Sequence, residues 1–276
     1  MSARAKSQGQ VTTPLRDVLA KAKAENRAAL IGYLPVGFPD VDGSIAAMRA
    51  MVAGGVDAVE VGVPYSDPGM DGPVIQRAVD PAVRAGVGMH DALRAVDEVS
   101  GDAAVVVMTY WNPVEHYGVA AFARDLAAAG GSGAITPDLI PDEADGWIEA
   151  SSDTGLDRVF LVAPSSTDAR LANTVDSCQG FVYAASTMGV TGVRSAVGDA
   201  AQRLVGRVRS ARPDFPVCVG LGVSTGDQAA EVAAFADGVI VGSAFVRCLL
   251  EAPDPAAGVA AVGRLAAELA QGVRRR

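Results

Sequence analysis

Two acidic residues in one short segment are the strongest candidates for chemistry. Glu60 lies in the apolar run 57–63 (DAVEVGV), which contains no Lys or Arg. In a strand, Val59 and Val61 share one face and Glu60 lies on the other, so valines packed on helices would direct Glu60 inward. A buried carboxylate without a cation costs several kcal/mol, which favours a functional role. The alternative is a structural role beside a cation from a neighbouring strand.

Asp71 provides the second carboxylate, in the loop 64–73 (PYSDPGMDGP). Pro and Gly residues mark this segment as a turn, and a helix is expected to begin near Val74. Taken alone, Asp71 also fits a turn or helix-capping residue. Burial would raise the pKa of Glu60 toward neutrality, the range that suits general acid–base catalysis. Asp71, in a more polar loop, is expected to stay ionised.

Three glycine-containing segments later in the chain indicate a phosphate site. They are GVTG with Gly189 and Gly192, GLGVS with Gly220 and Gly222, and VGSAF with Gly242 and Ser243. Each glycine alone could serve a turn with positive φ. The segments follow three successive predicted strands, where barrels hold phosphate through backbone N–H groups and a helix N-terminus. Together they predict a phosphorylated small-molecule ligand.

Eight β-rich runs must position these residues. They span 29–34, 57–63, 103–109, 133–139, 158–163, 180–185, 216–220 and 237–242, and Pro137 interrupts the fourth. Each is followed by an Ala-rich helical pattern, which favours parallel strands covered by helices. Eight such units favour closure into a barrel over an open doubly wound sheet. We therefore predict the α/β class and a single (β/α)8 TIM barrel with an extra N-terminal helix.

The domain organisation follows from the absence of any linker rich in Pro, Gly or Ser between these units. Residues 1–13 are predicted to be a flexible N-terminal tail, and residues 14–276 a single TIM-barrel domain. The net charge is −9, and the one basic cluster is Arg274, Arg275 and Arg276, so nucleic-acid binding is disfavoured. No apolar run approaches the roughly 20 residues of a membrane helix, and the start is polar. We expect a cytoplasmic protein with no membrane association.

Cysteine and histidine chemistry are both disfavoured. Cys178, Cys218 and Cys248 have neither a disulfide-framework nor a metal-ligand spacing, and we expect them to be buried small hydrophobic residues. The only histidines are His90, in a predicted helix start, and His116, in a predicted polar loop. Neither follows a strand end, so the sequence predicts no metal site.

The segment 59–76 (VEVGVPYSDPGMDGPVIQ) resembles the signature segment of the tryptophan synthase alpha chain family. Similar segments are GYLPVGFPD from Gly32, MTYWNPVEHYG from Met108, PDLIPDEAD from Pro137, VYAASTMGVTG from Val182, GLGVS from Gly220 and VGSA from Val241. The resemblance covers almost the whole chain. It departs from the family pattern at Thr187 and Met188, where Arg commonly follows Ser, and at Gly69 and Met70, where Leu-Ala is more usual.

The resemblance implies an activity and roles for individual residues. The reaction would be the retro-aldol cleavage of indole-3-glycerol phosphate into indole and D-glyceraldehyde 3-phosphate. The catalytic group would comprise Glu60 as general acid/base, Asp71 facing the indole N–H, and Tyr183 near the reacting carbon. Backbone amides of Gly192, Gly222, Gly242 and Ser243 would hold the phosphate. The indole pocket would include Tyr33, Tyr110 and Asp138, and Thr191 would close the facing loop over the bound phosphate.

The resemblance also implies a partner, the tryptophan synthase beta chain, in an α2β2 complex that converts the indole to L-tryptophan. Pro64, Asp67 and Asn112 would lie at that interface. Pyridoxal phosphate would belong to the beta chain alone, and this chain would need no cofactor or metal. Two alternatives remain at this point: another phosphate-binding barrel enzyme, such as an isomerase or an indole-glycerol-phosphate synthase, and a non-catalytic activator of a partner enzyme. The first would usually have a catalytic Lys or Cys at a strand end.

Overall fold

The computed structural model describes residues 14–185 and 194–275, without the side chains of 194–197. Its parallel strands are β1 (Ala29–Pro35), β2 (Ala58–Gly62), β3 (Ala104–Met108), β4 (Gly133–Ile135), β5 (Asp157–Val159), β6 (Leu161–Val162), β7 (Val182–Ala185), β8 (Val217–Gly220) and β9 (Gly238–Val241). They form one sheet in the order β5-β4-β3-β2-β1-β9-β8-β7-β6. The predicted β-rich runs are all found as strands.

The sheet closes into a barrel through the short stretch 157–162. β5 pairs with β4, and β6 pairs with β7, so the two ends of the sheet belong to one piece of chain interrupted at Phe160. Counted this way, the barrel has eight strand positions, which confirms the predicted (β/α)8 architecture. The fourth strand is short because the chain leaves the sheet before Pro137, which has no N–H to donate.

Helices cover the outer face of the barrel. In the described residues they are α1 (Leu15–Ala24), α2 (Val41–Ala53), α3 (Pro73–Arg84), α4 (Met89–Val99), α5 (Trp111–Tyr117), α6 (Val119–Ala128), α7 (Asp145–Thr154), α8 (Asp168–Ser177), α9 (Arg194–Ala211), α10 (Gly226–Ala233), α11 (Ser243–Leu250) and α12 (Pro255–Gly272). A 3₁₀ turn spans Pro141–Glu143. The helix α1 precedes β1 and is the predicted extra helix. His116 lies in α5, so its assignment to a loop was wrong.

Two hydrophobic clusters separate the inside of the barrel from the layer between strands and helices. Val59 and Val61 pack in the outer cluster with the helices, whereas Ala58 packs in the inner one. The inner cluster also contains Leu15, Leu19 and Ala22 of α1, together with strand residues such as Ala29 and Ala104. Because these strand residues lie near the amino ends of β1 and β3, α1 closes that end of the barrel.

Aspartates fasten the amino ends of the strands. The Asp57 carboxylate accepts a hydrogen bond from the Leu30 N–H (2.8 Å) and from the buried guanidinium of Arg27 (2.6 Å). The Asp237 carboxylate accepts one from the Val217 N–H (3.1 Å), and that of Asp157 accepts one from the Leu15 N–H (3.0 Å). Each carboxylate thereby joins neighbouring elements, as expected at the end of a barrel that serves stability.

Cys178 and Cys218 are buried free thiols, as predicted, but Cys248 is only half-buried. Within 14–185 and 194–275, no helix is long and apolar enough to cross a membrane. The same residues contain no cluster of three or more His, Cys, Asp or Glu side chains suited to a metal ion. The predicted tail, 1–13, lies outside the described residues, and the proposed domain boundary stays a prediction.

Candidate active site

Glu60 lies inside the barrel, in the middle of β2, and is fully buried. Neither carboxylate oxygen has a hydrogen-bond partner, and no cation pairs with it in the described part of the chain. Burial alone raises the pKa of this carboxyl to about 8, because removal from water disfavours the charged form. The described residues therefore do not support the alternative, a structural ion pair between Glu60 and a cation of a neighbouring strand.

Asp71 lies in the loop after β2 and is held by Tyr110. The Tyr110 hydroxyl donates to the Asp71 carboxylate (3.4 Å) and accepts from the N–H of Met70 (2.8 Å), and Gln76 donates to the Asp71 carbonyl oxygen (2.8 Å). The helix α3 is capped by Gly72 without a side-chain bond, so Asp71 is not a helix cap. Burial raises the pKa of Asp71, and the hydrogen bond from Tyr110 opposes this effect.

Two inward-facing tyrosines extend over glycines of the next strand. Tyr33 of β1 leans over Gly62 of β2, where an added Cβ would lie 2.5 Å from the tyrosine oxygen. Tyr183 of β7 leans over Gly220 of β8 with the same separation. Any larger residue at these two positions would collide with a phenol. The sequence analysis missed this role and grouped Gly220 with the phosphate segments; a glycine next to an inward-facing tyrosine is the pattern that could have revealed it.

Both phenols lie close enough to Glu60 to interact with it electrostatically. Burial raises the pKa of Tyr33 well above its ordinary value, and the negative charges of Asp71 and Glu60 add to this shift. Burial also raises the pKa of Tyr183, with a further contribution from Glu60. Tyr33 is influenced by Glu60, Asp71, Tyr110 and Tyr183, so the three residues predicted for catalysis lie near this tyrosine.

The predicted phosphate residues lie on adjacent strands where the structure describes them. Gly222 follows β8 and has φ +67°, a left-handed conformation that favours glycine. Gly242 precedes α11, and Ser243 is the first residue of that helix. An added Cβ at Gly242 would lie 3.2 Å from the Tyr33 ring, so this glycine also borders the interior. Gly192 and Thr191 lie outside the described residues, as do Thr187 and Met188.

Asp138, which the resemblance assigns to the indole pocket, holds the start of a helix in place. Its side chain is exposed, and both oxygens accept from the N–H of Trp111, at 2.9 and 3.2 Å. Asp138 thus caps the N-terminus of α5 and fastens the loop after β4 to the helix after β3. Tyr33 and Tyr110, in contrast, are buried at the mouth of the barrel.

The predicted interface residues lie close to the site, but only two of them are exposed. Asp67 is exposed and accepts a hydrogen bond from Ser66 (2.6 Å). Asn112 of α5 is exposed and donates to the Tyr65 hydroxyl (3.2 Å). Pro64 is buried within the chain. The Tyr65 bond joins the loop 64–72, which carries Asp71, to α5.

The fold and the site define an α/β-barrel enzyme with a desolvated carboxylic acid and a second carboxylate at the carboxyl end of its strands. A family model described as "Tryptophan synthase alpha chain" matches residues 19–274. The chain belongs to the tryptophan synthase alpha chain family, whose members are lyases that cleave indole-3-glycerol phosphate. This match decides against the alternative of another phosphate-binding barrel enzyme.

Relatives of this chain extend over almost its whole length. The tryptophan synthase alpha chain of Thermobifida fusca (strain YX) is 62% identical over 265 residues, covering 95% of this chain and 98% of that protein. A structure of Mycobacterium tuberculosis tryptophan synthase is 60% identical with a TM-score of 0.88, covering 96% of this chain and 99% of that one. The Legionella pneumophila (strain Paris) alpha subunit is similar at 31% identity, with a TM-score of 0.84 and coverages of 94% and 97%.

Proposed function

We propose that Glu60 and Asp71 carry out the retro-aldol cleavage of indole-3-glycerol phosphate in this chain. The observation that carries the assignment is the Glu60 carboxyl inside the barrel, which is fully buried and has no hydrogen-bond partner among the described residues. A carboxyl with a pKa near 8 is protonated at neutral pH. It can therefore act first as an acid, and the resulting carboxylate can then act as a base.

The proton balance of the reaction needs one such group. Glu60 delivers its proton to C3 of the indole ring, which places positive charge on the ring nitrogen. The bond from C3 to the glycerol carbon then breaks and returns its electron pair to the ring. The hydroxyl on that carbon becomes the aldehyde of glyceraldehyde 3-phosphate, and its proton passes to the Glu60 carboxylate. Glu60 ends in its starting state, and acid–base catalysis of this kind contributes about 10² to 10⁴ in rate.

Asp71 faces the charge that develops on the indole nitrogen. The hydrogen bond from Tyr110 and the Gln76 contact hold its loop in place before substrate binds. A preorganised negative charge stabilises a transition state more than a mobile one does. Tyr183, which interacts electrostatically with Glu60 across the interior, would contact the reacting carbon, and Tyr33 and Tyr110 would border the indole ring. No cofactor or metal enters this proposed chemistry.

The phosphate of the substrate would bind at the ends of β8 and β9. Backbone N–H groups near Gly222 and at the start of α11, with Gly242 and Ser243, suit an anion because a helix N-terminus carries partial positive charge. Gly192 and Thr191 would complete and close this site. Asp71 follows β2, whereas the proposed phosphate site follows β8 and β9, so the substrate would extend between them past Glu60.

The beta chain is the proposed partner, in an α2β2 complex, because family members pair with that subunit. Asp67 and Asn112 would meet it directly, since both are exposed beside the active site. Pro64 is buried, so we assign it to the support of the loop. A cytoplasmic location is part of this proposal.

Indole release by the purified chain tests the function. We expect slow release from indole-3-glycerol phosphate alone and stimulated release with a pyridoxal-phosphate-dependent beta chain. Asp71→Asn should lose turnover by at least about 10²-fold with a smaller change in KM, since the charge is needed as the indole becomes cationic. A non-catalytic activator would release no indole even in a single turnover with stoichiometric enzyme. A change in KM alone would reduce Asp71 to a positioning residue.

A further inference from the structure

Tyr33 is a buried tyrosine near both carboxylates of the site, since Asp71 and Glu60 both act on it electrostatically. Tyr33 is the direct neighbour of Glu60 in the parallel pairing of β1 with β2, and both side chains face the interior. The phenol reaches toward the carboxyl end, so that its oxygen lies over Gly62, two residues beyond Glu60 on the same face. Its ring also lies against Gly242, where an added Cβ would be 3.2 Å away. Tyr33 therefore touches the catalytic strand and the proposed phosphate site together.

Glu60 needs a hydrogen-bond donor during the reaction but has none in the described residues. After it gives up its proton it is a carboxylate in an apolar environment, the costly state of this group. The titratable groups that face it are Tyr33 on β1, Tyr183 on β7 and Cys218 on β8. A buried thiol is a weak donor, so the two phenols are the available donors.

Tyr33 is better suited than Tyr183 to donate to Glu60. Tyr183 lies against Gly220 on the far side of the interior and would contact the reacting carbon of the substrate. Tyr110 is occupied, because its hydroxyl accepts from Met70 and donates to Asp71. The Tyr33 hydroxyl has no partner among the described residues, and its strand is hydrogen-bonded to that of Glu60.

We infer that Tyr33 is a positioning residue for catalysis, whose hydroxyl donates a hydrogen bond to the Glu60 carboxylate once that group has protonated the indole. The inference rests on the proposed function, since it concerns the same acid–base step. A donor to the charged form lowers the pKa of the acid and makes proton transfer to the substrate more favourable. The ring would keep its packing role at Gly62 and Gly242 independently of the hydroxyl.

Tyr33→Phe tests the hydroxyl alone, because the ring and its contacts remain. With a glycerol phosphate analogue bound, the pKa of Glu60 should rise by about one unit, equivalent to about tenfold in the ionisation equilibrium. Titration of the carboxyl carbon of ¹³C-labelled Glu60 by NMR measures this without any turnover. The alkaline limb of the kcat profile should move upward by the same amount. At pH 7, kcat should fall about tenfold while KM changes less than twofold.

Two other variants distinguish the outcomes. Tyr110→Phe removes a phenol that bonds Asp71, so it should lower kcat without moving the Glu60 titration. Tyr33→Leu removes the ring as well and should also weaken binding of the phosphate analogue through Gly242. An unchanged Glu60 titration and alkaline limb in Tyr33→Phe would overturn the inference and leave Tyr33 as a packing residue. Retained activity in Glu60→Gln would instead refute the proposed function itself.

Discussion

Acidic side chains at the amino end of the barrel and in its interior have opposite environments. At the amino end, the Asp57 carboxylate is shared between the Leu30 N–H and the Arg27 guanidinium, whose side chain is only 4% exposed. Inside the barrel, in the middle of β2, the Glu60 carboxyl has no partner in the described part of the chain, although it is fully buried. A carboxylate therefore stabilises the amino end, whereas a carboxyl group costs stability in the interior. This difference distinguishes a structural residue from a candidate catalytic one without reference to activity.

Asp57→Asn is expected to have the largest effect on stability. The change removes the charge of one of the two carboxylates that pair with the buried Arg27, the other being Glu25, and the loss of a hydrogen bond to a charged group costs about 1.5 to 3 kcal/mol. Chemical denaturation of the variant measures this loss, and activity should survive at low temperature. Asp102→Asn is the matched control, because Asp102 is exposed on the approach to β3. Equal stability of the two variants would contradict a structural role for the amino end.

Asp67→Ala sharpens the comparison within the carboxyl end. Asp67 is exposed and bonded to Ser66 alone, so the isolated chain should keep its rate. Stimulation by the beta chain should fall by about 5- to 150-fold, the usual range of coupling between sites. Ser66→Ala keeps the carboxylate and should retain most of the stimulation. Full stimulation of Asp67→Ala at saturating beta chain would remove this residue from the interface.

Gly222→Val tests the phosphate site with the smallest expected effect. The residue has a left-handed backbone, and a branched side chain would add strain and block a close approach by phosphate. The affinity for a glycerol phosphate analogue should fall at least about tenfold, whereas Ser243→Ala should change it little. Gly86→Val is the control for strain, since Gly86 has φ +77° far from the site. Equal analogue affinity in the variants at 222 and 86 would place the phosphate elsewhere.

Much of the scaffold could be predicted because each strand is a continuous apolar run, a pattern that depends only on residues adjacent in sequence. The inward direction of Glu60 follows from the same alternation. Contacts between distant segments could not be predicted in this way. The bond from Tyr110 to Asp71 and the Asp138 cap on α5 depend on loops that meet only after the barrel closes. The interruption of the fifth strand at Phe160 also cannot be predicted from the apolar pattern of the sequence.

The glycines also show which features cannot be predicted from adjacent residues alone. The sequence suggests that a glycine is needed where φ is positive, and Gly222 does have a positive φ. Gly62 and Gly220 have a different reason, because each makes room for a tyrosine of the preceding strand. That reason depends on which strands are neighbours and which side chains face inward. It becomes visible only with the register of the sheet.

The central claim, that Glu60 is unpartnered for the sake of catalysis, is tested most directly by Glu60→Gln. Because the folded-state pKa of Glu60 is about 8 and its ordinary value is 4.5, the wild type loses stability as pH rises between them. The free energy of unfolding of Glu60→Gln minus that of the wild type should therefore grow by about 3 kcal/mol from pH 5 to pH 7. Indole release should fall by at least about 10²-fold. Retained turnover, or a stability difference independent of pH, would contradict the account.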